Sequence, residues 1–263
     1  MELIAYSAIL LVGVVLAIIG GGGSILTVPI LVYLFKLPAD ISTSYSLFLV
    51  GISAAVGAVR YGKEKLIAYK IGIIFAAPAF IGVFSVRKFL MPLIPKSFEI
   101  MSLAITKDQL ILLTFSSIML LVSISMIRTP KKKSSFSGKK KTLNVFIISL
   151  EGLLVGAVTG FVGAGGGFLI IPALVLFAGL SMETAVGTSL MIIAIKSFLG
   201  FTGDIGTLAI DWKFLGVLSM ISIVGIVIGG HLAKRIKPGA LKPLFGYFVL
   251  IMGFFIIFQQ LWV

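Results

Sequence analysis

Unbroken apolar runs recur near 3–20, 42–60, 67–86, 109–127, 143–162, 184–203, 213–231 and 243–262. Each is close to the roughly 20 residues a helix needs to cross about 30 Å of hydrocarbon, so the pattern predicts eight spanning helices. Two further runs, 24–35 and 168–178, are too short to cross alone. Each follows a glycine cluster, Gly20 to Gly23 and Gly163 to Gly167, and each carries a proline, Pro29 and Pro172. A helix broken at such a point frees backbone groups that lipid cannot satisfy, so the break must be packed in protein or line a wet pathway. Close packing through small residues is the plainer account of either cluster taken singly.

The two clusters coincide when the chain is slid against itself by 143 residues without a gap. Gly20, Gly22, Gly23, Leu26, Pro29, Leu31, Val32, Leu37, Ser46, Leu47 and Gly57 then meet Gly163, Gly165, Gly166, Leu169, Pro172, Leu174, Val175, Leu180, Ser189, Leu190 and Gly200. These eleven identities, between pairs 20/163 and 62/205, compare with about four expected for so biased a composition, and they imply an internal duplication. Asp40 falls opposite Glu183. The expected fold is an all-α polytopic integral membrane protein of two repeats, 1–127 and 143–263, joined by a loop at 128–142. Each repeat would hold about five segments, one of them short and glycine-broken.

Composition agrees with the membrane reading: 59% of the 263 residues are hydrophobic and 12% charged, with a mean hydropathy of +1.20, outside the range of soluble domains. The formal charge of +13 would suggest nucleic acid if it were spread over a surface. Seven of the 22 basic residues instead sit between Arg128 and Lys141, so the charge reads as topology and no nucleic-acid partner is expected. With that loop in the cytoplasm and each short run counted as a crossing, Arg60, Lys63, Lys65, Lys234, Arg235, Lys237 and Lys242 fall inside, while Asp204 and Asp211 fall outside. Both termini are then external, and the halves enter the membrane in opposite senses, as inverted repeats do. Arg87 and Lys88 are the exceptions, left outside by this scheme. The N-terminus has no basic n-region, so the first run is expected to be a retained span in a multi-pass protein of the cytoplasmic membrane.

GGGGSILTVPIL at 20–31 and GAGGGFLIIPAL at 163–174, the latter followed by AVGTSL at 185–190, resemble the paired motifs of the TauE/SafE family of membrane anion exporters. The resemblance covers nearly the whole chain. Its first half departs from the pattern, with Ser44, Tyr45 and Ser46 where the second half has Gly187, Thr188 and Ser189. The resemblance implies export of sulfite, sulfoacetate or a related organosulfonate, and nothing in composition or spacing points to sulfur.

The residues favour an anion on their own terms. A helix N-terminus offers unpaired N–H groups and a partial positive charge, which Gly22, Gly23, Gly165, Gly166 and Gly167 would leave open to close approach. Hydroxyls of Ser24, Ser44, Ser46, Thr188 and Ser189 can replace the water around an oxyanion; each can equally bond its own helix or a neighbour. Lys196 and Glu151 lie deep in apolar runs, where an ionisable group is a functional candidate. Lys196 is two turns beyond Ser189 on one face. Glu151 is the candidate for coupling to a proton, or the two form a structural pair. His231 is expected at a span end without a transport role, and Tyr69, Trp212 and Trp262 as interfacial anchors.

With no cysteine and one histidine, disulfides, Cys-bearing zinc sites and His clusters are excluded, and no cofactor or metal is expected. One deep carboxylate is too little for acid and base catalysis, which weighs against a membrane enzyme. A channel or an uptake carrier of the same fold and an accessory membrane protein stay open as alternatives, as does a homo-oligomer. The expected partners are a small anion and the lipid bilayer.

Overall fold

The computed structural model describes residues 2–19, 21–100, 103–128, 145–176, 178–233 and 238–262. The chain is almost entirely helical. The long helices are α1 (Glu2–Ile19), α3 (Ala39–Lys63), α4 (Tyr69–Ser85), α6 (Lys107–Arg128), α7 (Val145–Val162), α9 (Met182–Phe201), α10 (Trp212–Ala233) and α11 (Pro238–Trp262). Among the described residues, six helices are long and apolar enough to cross a membrane by themselves. The first short run is one continuous helical segment of mixed pitch, a 3-10 turn Gly21–Leu26, then α2 (Thr27–Pro29), then a π turn Ile30–Leu34; the second is α8 (Gly167–Leu176). Helix α4 continues through a π turn Val86–Leu90 into α5 (Met91–Leu93). A two-stranded antiparallel hairpin, β1 (Ser97–Ile100) and β2 (Leu103–Thr106), precedes α6. The basic loop 128–142 lies, beyond Arg128, outside the described residues.

Burial sorts the helices. The spanning stretches of α3 and α9 are 72% and 78% buried, against 33% to 44% in α4, α6, α7 and α10, so α3 and α9 form the centre. The outer helices present Leu153, Leu154, Met220, Val224, Phe254 and Phe255 outward, an apolar girdle suited to lipid. The centre is the more polar part: Ser42, Thr43, Ser44, Ser46, Ser53, Thr188, Ser189, Lys196 and Ser197 are all buried. This inside-out distribution is expected when the solvent is hydrocarbon and polar groups must find partners within the protein.

Helix directions follow from which residues meet. Ser53 Oγ lies 2.6 Å from Ser222 Oγ, and a Cβ on Gly57 would come 3.3 Å from Ile226, so α3 and α10 are parallel. Gly13 against Ser222, and Gly229 against Val14 and Ala17, make α1 parallel to α10. Helices α1 and α3 therefore run the same way, and the first short segment must return the chain between them. Gly152 beside Phe75, Gly156 beside Ala79 and Gly160 beside Val83 make α4 parallel to α7. The contacts Ala68 to Thr188 and Gly200 to Val83 make α4 parallel to α9. Thus α7 and α9 also share a direction, with α8 returning the chain. Gly51 beside Ser197 and Phe198, Gly57 beside Leu190, and Gly187 beside Tyr61 set α3 antiparallel to α9.

The contacts also obey the 143-residue shift. A Cβ at Gly13 would press on the Ser222 carbonyl and one at Gly156 on the Ala79 carbonyl; likewise Gly225 meets Leu10, as Gly82 meets Leu153. Each pair becomes the other when 143 is added to one member and subtracted from its partner. Glycine is needed there because backbones approach closely at these crossings.

The directions put Lys65, in the turn after α3, and Thr207, after α9, at opposite ends. The chain has no cysteine, so single cysteines can be read against an empty background. With Lys65→Cys and Thr207→Cys in intact cells, a membrane-impermeant thiol reagent is expected to label only position 207. Labelling of both from outside would overturn the arrangement.

Candidate functional site

The second glycine break lies where α3, α7 and α9 converge. Residues 163–166 are non-helical, and Gly163 and Gly166 have φ of +73° and +75°, a region costly for any residue with a Cβ. Helix α8 then opens with Leu169 and Ile170 both donating to the Gly166 carbonyl, at 2.9 and 3.0 Å. A Cβ on Gly163 would strike Thr43; one on Gly165 would meet Val50, Ile193 at 3.2 Å and Ser24 at 3.2 Å. One on Gly166 would strike the Thr159 methyl and lie 3.5 Å from Lys196 Nζ. Ser24, from the first break, and Lys196, from α9, therefore both stand beside the second break.

The first break differs from expectation. Gly22 and Gly23 lie within the 3-10 turn Gly21–Leu26, whose i to i+3 bonds keep the backbone helical. Among the described residues, a non-helical stretch leading into a helix start is found at the second break, with Gly165, Gly166 and Gly167.

Lys196 is completely buried. Its Nζ donates to Thr159 Oγ1 at 2.8 Å, and Thr159 Oγ1 donates to the Gly156 carbonyl at 3.2 Å. The sequence alternative of a Lys196 to Glu151 pair is not formed. The ion pairs among the described residues are Arg60 with Glu64, Arg87 with Asp204 and Lys107 with Asp40. Glu151 is partly exposed on α7, eight residues and so about 12 Å before Thr159. The ammonium is thus held by a hydroxyl with no carboxylate of a described residue in salt-bridge range. Sequence reasoning missed Thr159, whose signal was its place on the helix that runs into the glycine break.

The remaining hydroxyls divide. Thr188 Oγ1 accepts from Ala68 N–H at 2.9 Å, satisfying a free donor at the start of α4, and Ser189 Oγ donates to the Val186 carbonyl at 2.8 Å. Each thus has a local partner within the buried centre. Ser44 and Ser46 are buried with no hydrogen-bond partner for either Oγ among the described residues, and so is Ser197 beside Lys196. Ser44 faces Asp204 without a bond of ordinary geometry.

Asp204 belongs to a second polar cluster. Arg87 is buried, and its Nη1 lies 3.3 Å from Asp204 Oδ2. Of the two charge exceptions, Arg87 is not a loop residue but an enclosed partner of Asp204, whereas Lys88 is exposed. At the other end of the centre, a cavity of about 400 Å³ is lined by Arg60, Tyr61, Lys63, Glu64, Gly230 and His231. There Arg60 Nε is 3.5 Å from Glu64, and both side chains are over a third exposed. His231 is exposed and engages the Val227 carbonyl at 2.9 Å. Tyr69, Trp212 and Trp262 are exposed at helix ends, as interfacial anchors would be.

A lipid-facing shell surrounds a core that carries hydroxyls and a buried lysine, the class of polytopic membrane protein. Residues 5–256 match the model of the sulfite exporter TauE/SafE family, and the chain belongs to that family. It is 28% identical over 264 residues to a probable membrane transporter protein of Xylella fastidiosa, covering 95% of this chain and 92% of that one. A probable membrane transporter protein of Bacillus subtilis, YdhB, is 26% identical over 233 residues, with 88% and 90% covered. A further one from Methanocaldococcus jannaschii is 26% identical over 269 residues, with 94% and 92% covered. No solved structure gives a significant match.

Proposed function

We propose that this transporter exports a small sulfur-containing anion, such as sulfite or sulfoacetate, across the cytoplasmic membrane by alternating access. The observation that carries the reading is Lys196, a buried lysine held by Thr159 at 2.8 Å beside Gly166 at the start of α8. A buried cation without a carboxylate is costly, and an anion at the glycine break offsets that cost. Gly165, Gly166, Gly167, Ser24 and Lys196, joined by Thr159, are the proposed binding set; Gly22 and Gly23 support Ser24 from the first turn. Ser46 and Ser44 offer spare hydroxyls toward the Asp204 end, and Thr188 and Ser189 hold α9 in place.

The chain is read as two inverted repeats, 1–127 and 143–263, linked by a cytoplasmic loop at 128–142. The antiparallel contact of α3 with α9 and the 143-residue exchange of glycine contacts support this. Alternating access is supported by the unlike ends, an enclosed Arg87 to Asp204 pair at one and a cavity with exposed Arg60 at the other. With the cytoplasm negative, moving one charge across 100 mV is worth about 2.3 kcal/mol, so an anion leaves downhill and no coupling ion is required. Glu151, away from Lys196, has no part in anion binding on this reading.

Proteoliposomes loaded with sulfite, sulfoacetate, thiosulfate, sulfate or a neutral sugar test the proposal. Saturable efflux of one or more sulfur oxyanions, accelerated by a trans anion, is the expected result. Efflux that never saturates and ignores trans anion would mean a channel, and no anion flux at all would sink the reading.

A further inference from the structure

The enclosed guanidinium of Arg87 is only partly used. Its Nη1 makes one long contact with Asp204, 3.3 Å, while Nε and Nη2 are buried without a partner among the described residues. Those two nitrogens form the side-on fork of a guanidinium, the edge that fits two oxygens of one oxyanion. A buried charged donor without an acceptor is strongly unfavourable, so an empty fork marks a place for a ligand. Close by, Ser44 faces Asp204 with an unpartnered hydroxyl. Arg87 is seated over Gly203, with its Cβ 3.0 Å from where a Cβ of that glycine would be. Gly203 lies seven residues beyond Lys196, in the 3-10 turn Thr202–Asp204 that follows α9.

The same device recurs at the opposite end. Adding 143 to Arg87 gives Gly230, and adding it to Arg60 gives Gly203; Arg60 is seated over Gly230 as Arg87 is over Gly203. The two arginines occupy equivalent positions, one enclosed against Asp204 and one exposed beside Glu64.

We propose that Arg87 is a second anion-binding station, taking a small oxyanion on its Nε and Nη2 fork while Nη1 stays with Asp204. Its role as the outer station after Lys196 rests on the export reading above, but the binding itself does not. The probe is sulfite, with chloride as an anion that cannot span the fork. Binding to the purified full-length protein is measured by equilibrium dialysis alongside thermal stability. Arg87→Lys keeps the charge and loses the fork, and is expected to weaken sulfite binding about tenfold with chloride binding unchanged. Unchanged sulfite affinity in a folded Arg87→Lys protein would overturn the station. Should that variant fail to fold, Asp204→Asn decides: it leaves the fork and removes a nearby negative charge, so sulfite should bind more tightly, and equal or weaker binding rejects the proposal. Lys196→Gln separates the two ideas. If it leaves sulfite affinity and flux intact while Arg87→Lys lowers binding, the Lys196 reading fails and the Arg87 station stands.

Discussion

Lys196→Gln is expected to lower the affinity for the transported anion at least tenfold, or about 1.4 kcal/mol, without loss of folded protein. The side chain is wholly buried and its only hydrogen bond among the described contacts is to Thr159. A glutamine amide can bond the same hydroxyl. Since no carboxylate of a described residue is in salt-bridge range, removing the amine orphans no buried anion among them, and it relieves the cost of desolvating a cation. Thermal stability should therefore equal or exceed that of the wild type. Glu151→Gln should leave anion affinity unchanged, and the double variant should behave as Lys196→Gln alone, because sites this far apart add independently. A lower melting temperature for Lys196→Gln, with anion affinity intact and restored stability in the double variant, would return Lys196 to a structural role.

The second large effect concerns two glycines with nearly the same backbone. Gly166 and Gly179 have φ of +75° and +66°, so alanine at either should cost roughly 1–2 kcal/mol from conformation alone. A Cβ at Gly179 meets nothing within 4 Å, whereas one at Gly166 strikes the Thr159 methyl and approaches Lys196 Nζ. Gly179→Ala should show only the conformational loss and keep flux. Gly166→Ala should lose stability about twice as much and abolish flux, since Thr159 must move and carry Lys196 with it. Thermal unfolding in detergent and efflux from proteoliposomes measure both; matched behaviour of the two variants would remove Gly166 from the site.

Much of the architecture was legible along the chain. The run at 109–127 is α6 (Lys107–Arg128) and the run at 143–162 is α7 (Val145–Val162), because a stretch of about 20 apolar residues has one stable form in lipid. Gly57 and Gly200, matched under the 143-residue shift, were legible too, and each packs against a side chain of a neighbouring helix. The first break was not, because glycine permits a 3-10 turn as readily as an open start. Nor was Arg87: its exceptional place in the charge distribution was visible, but its partner lies 117 residues away.

By itself, then, the sequence determined that the chain inserts in a membrane, where its segments lie and which polar residues are carried into the apolar layer. These follow from local hydropathy and backbone demand. Only the tertiary structure decided that Lys196 meets Thr159 rather than Glu151, that Thr188 accepts from the first turn of α4, and that Arg87 is enclosed with Asp204. In hydrocarbon a polar group must take its partner from another helix, and which helix arrives beside it is decided by how glycine-lined backbones pack across the bundle.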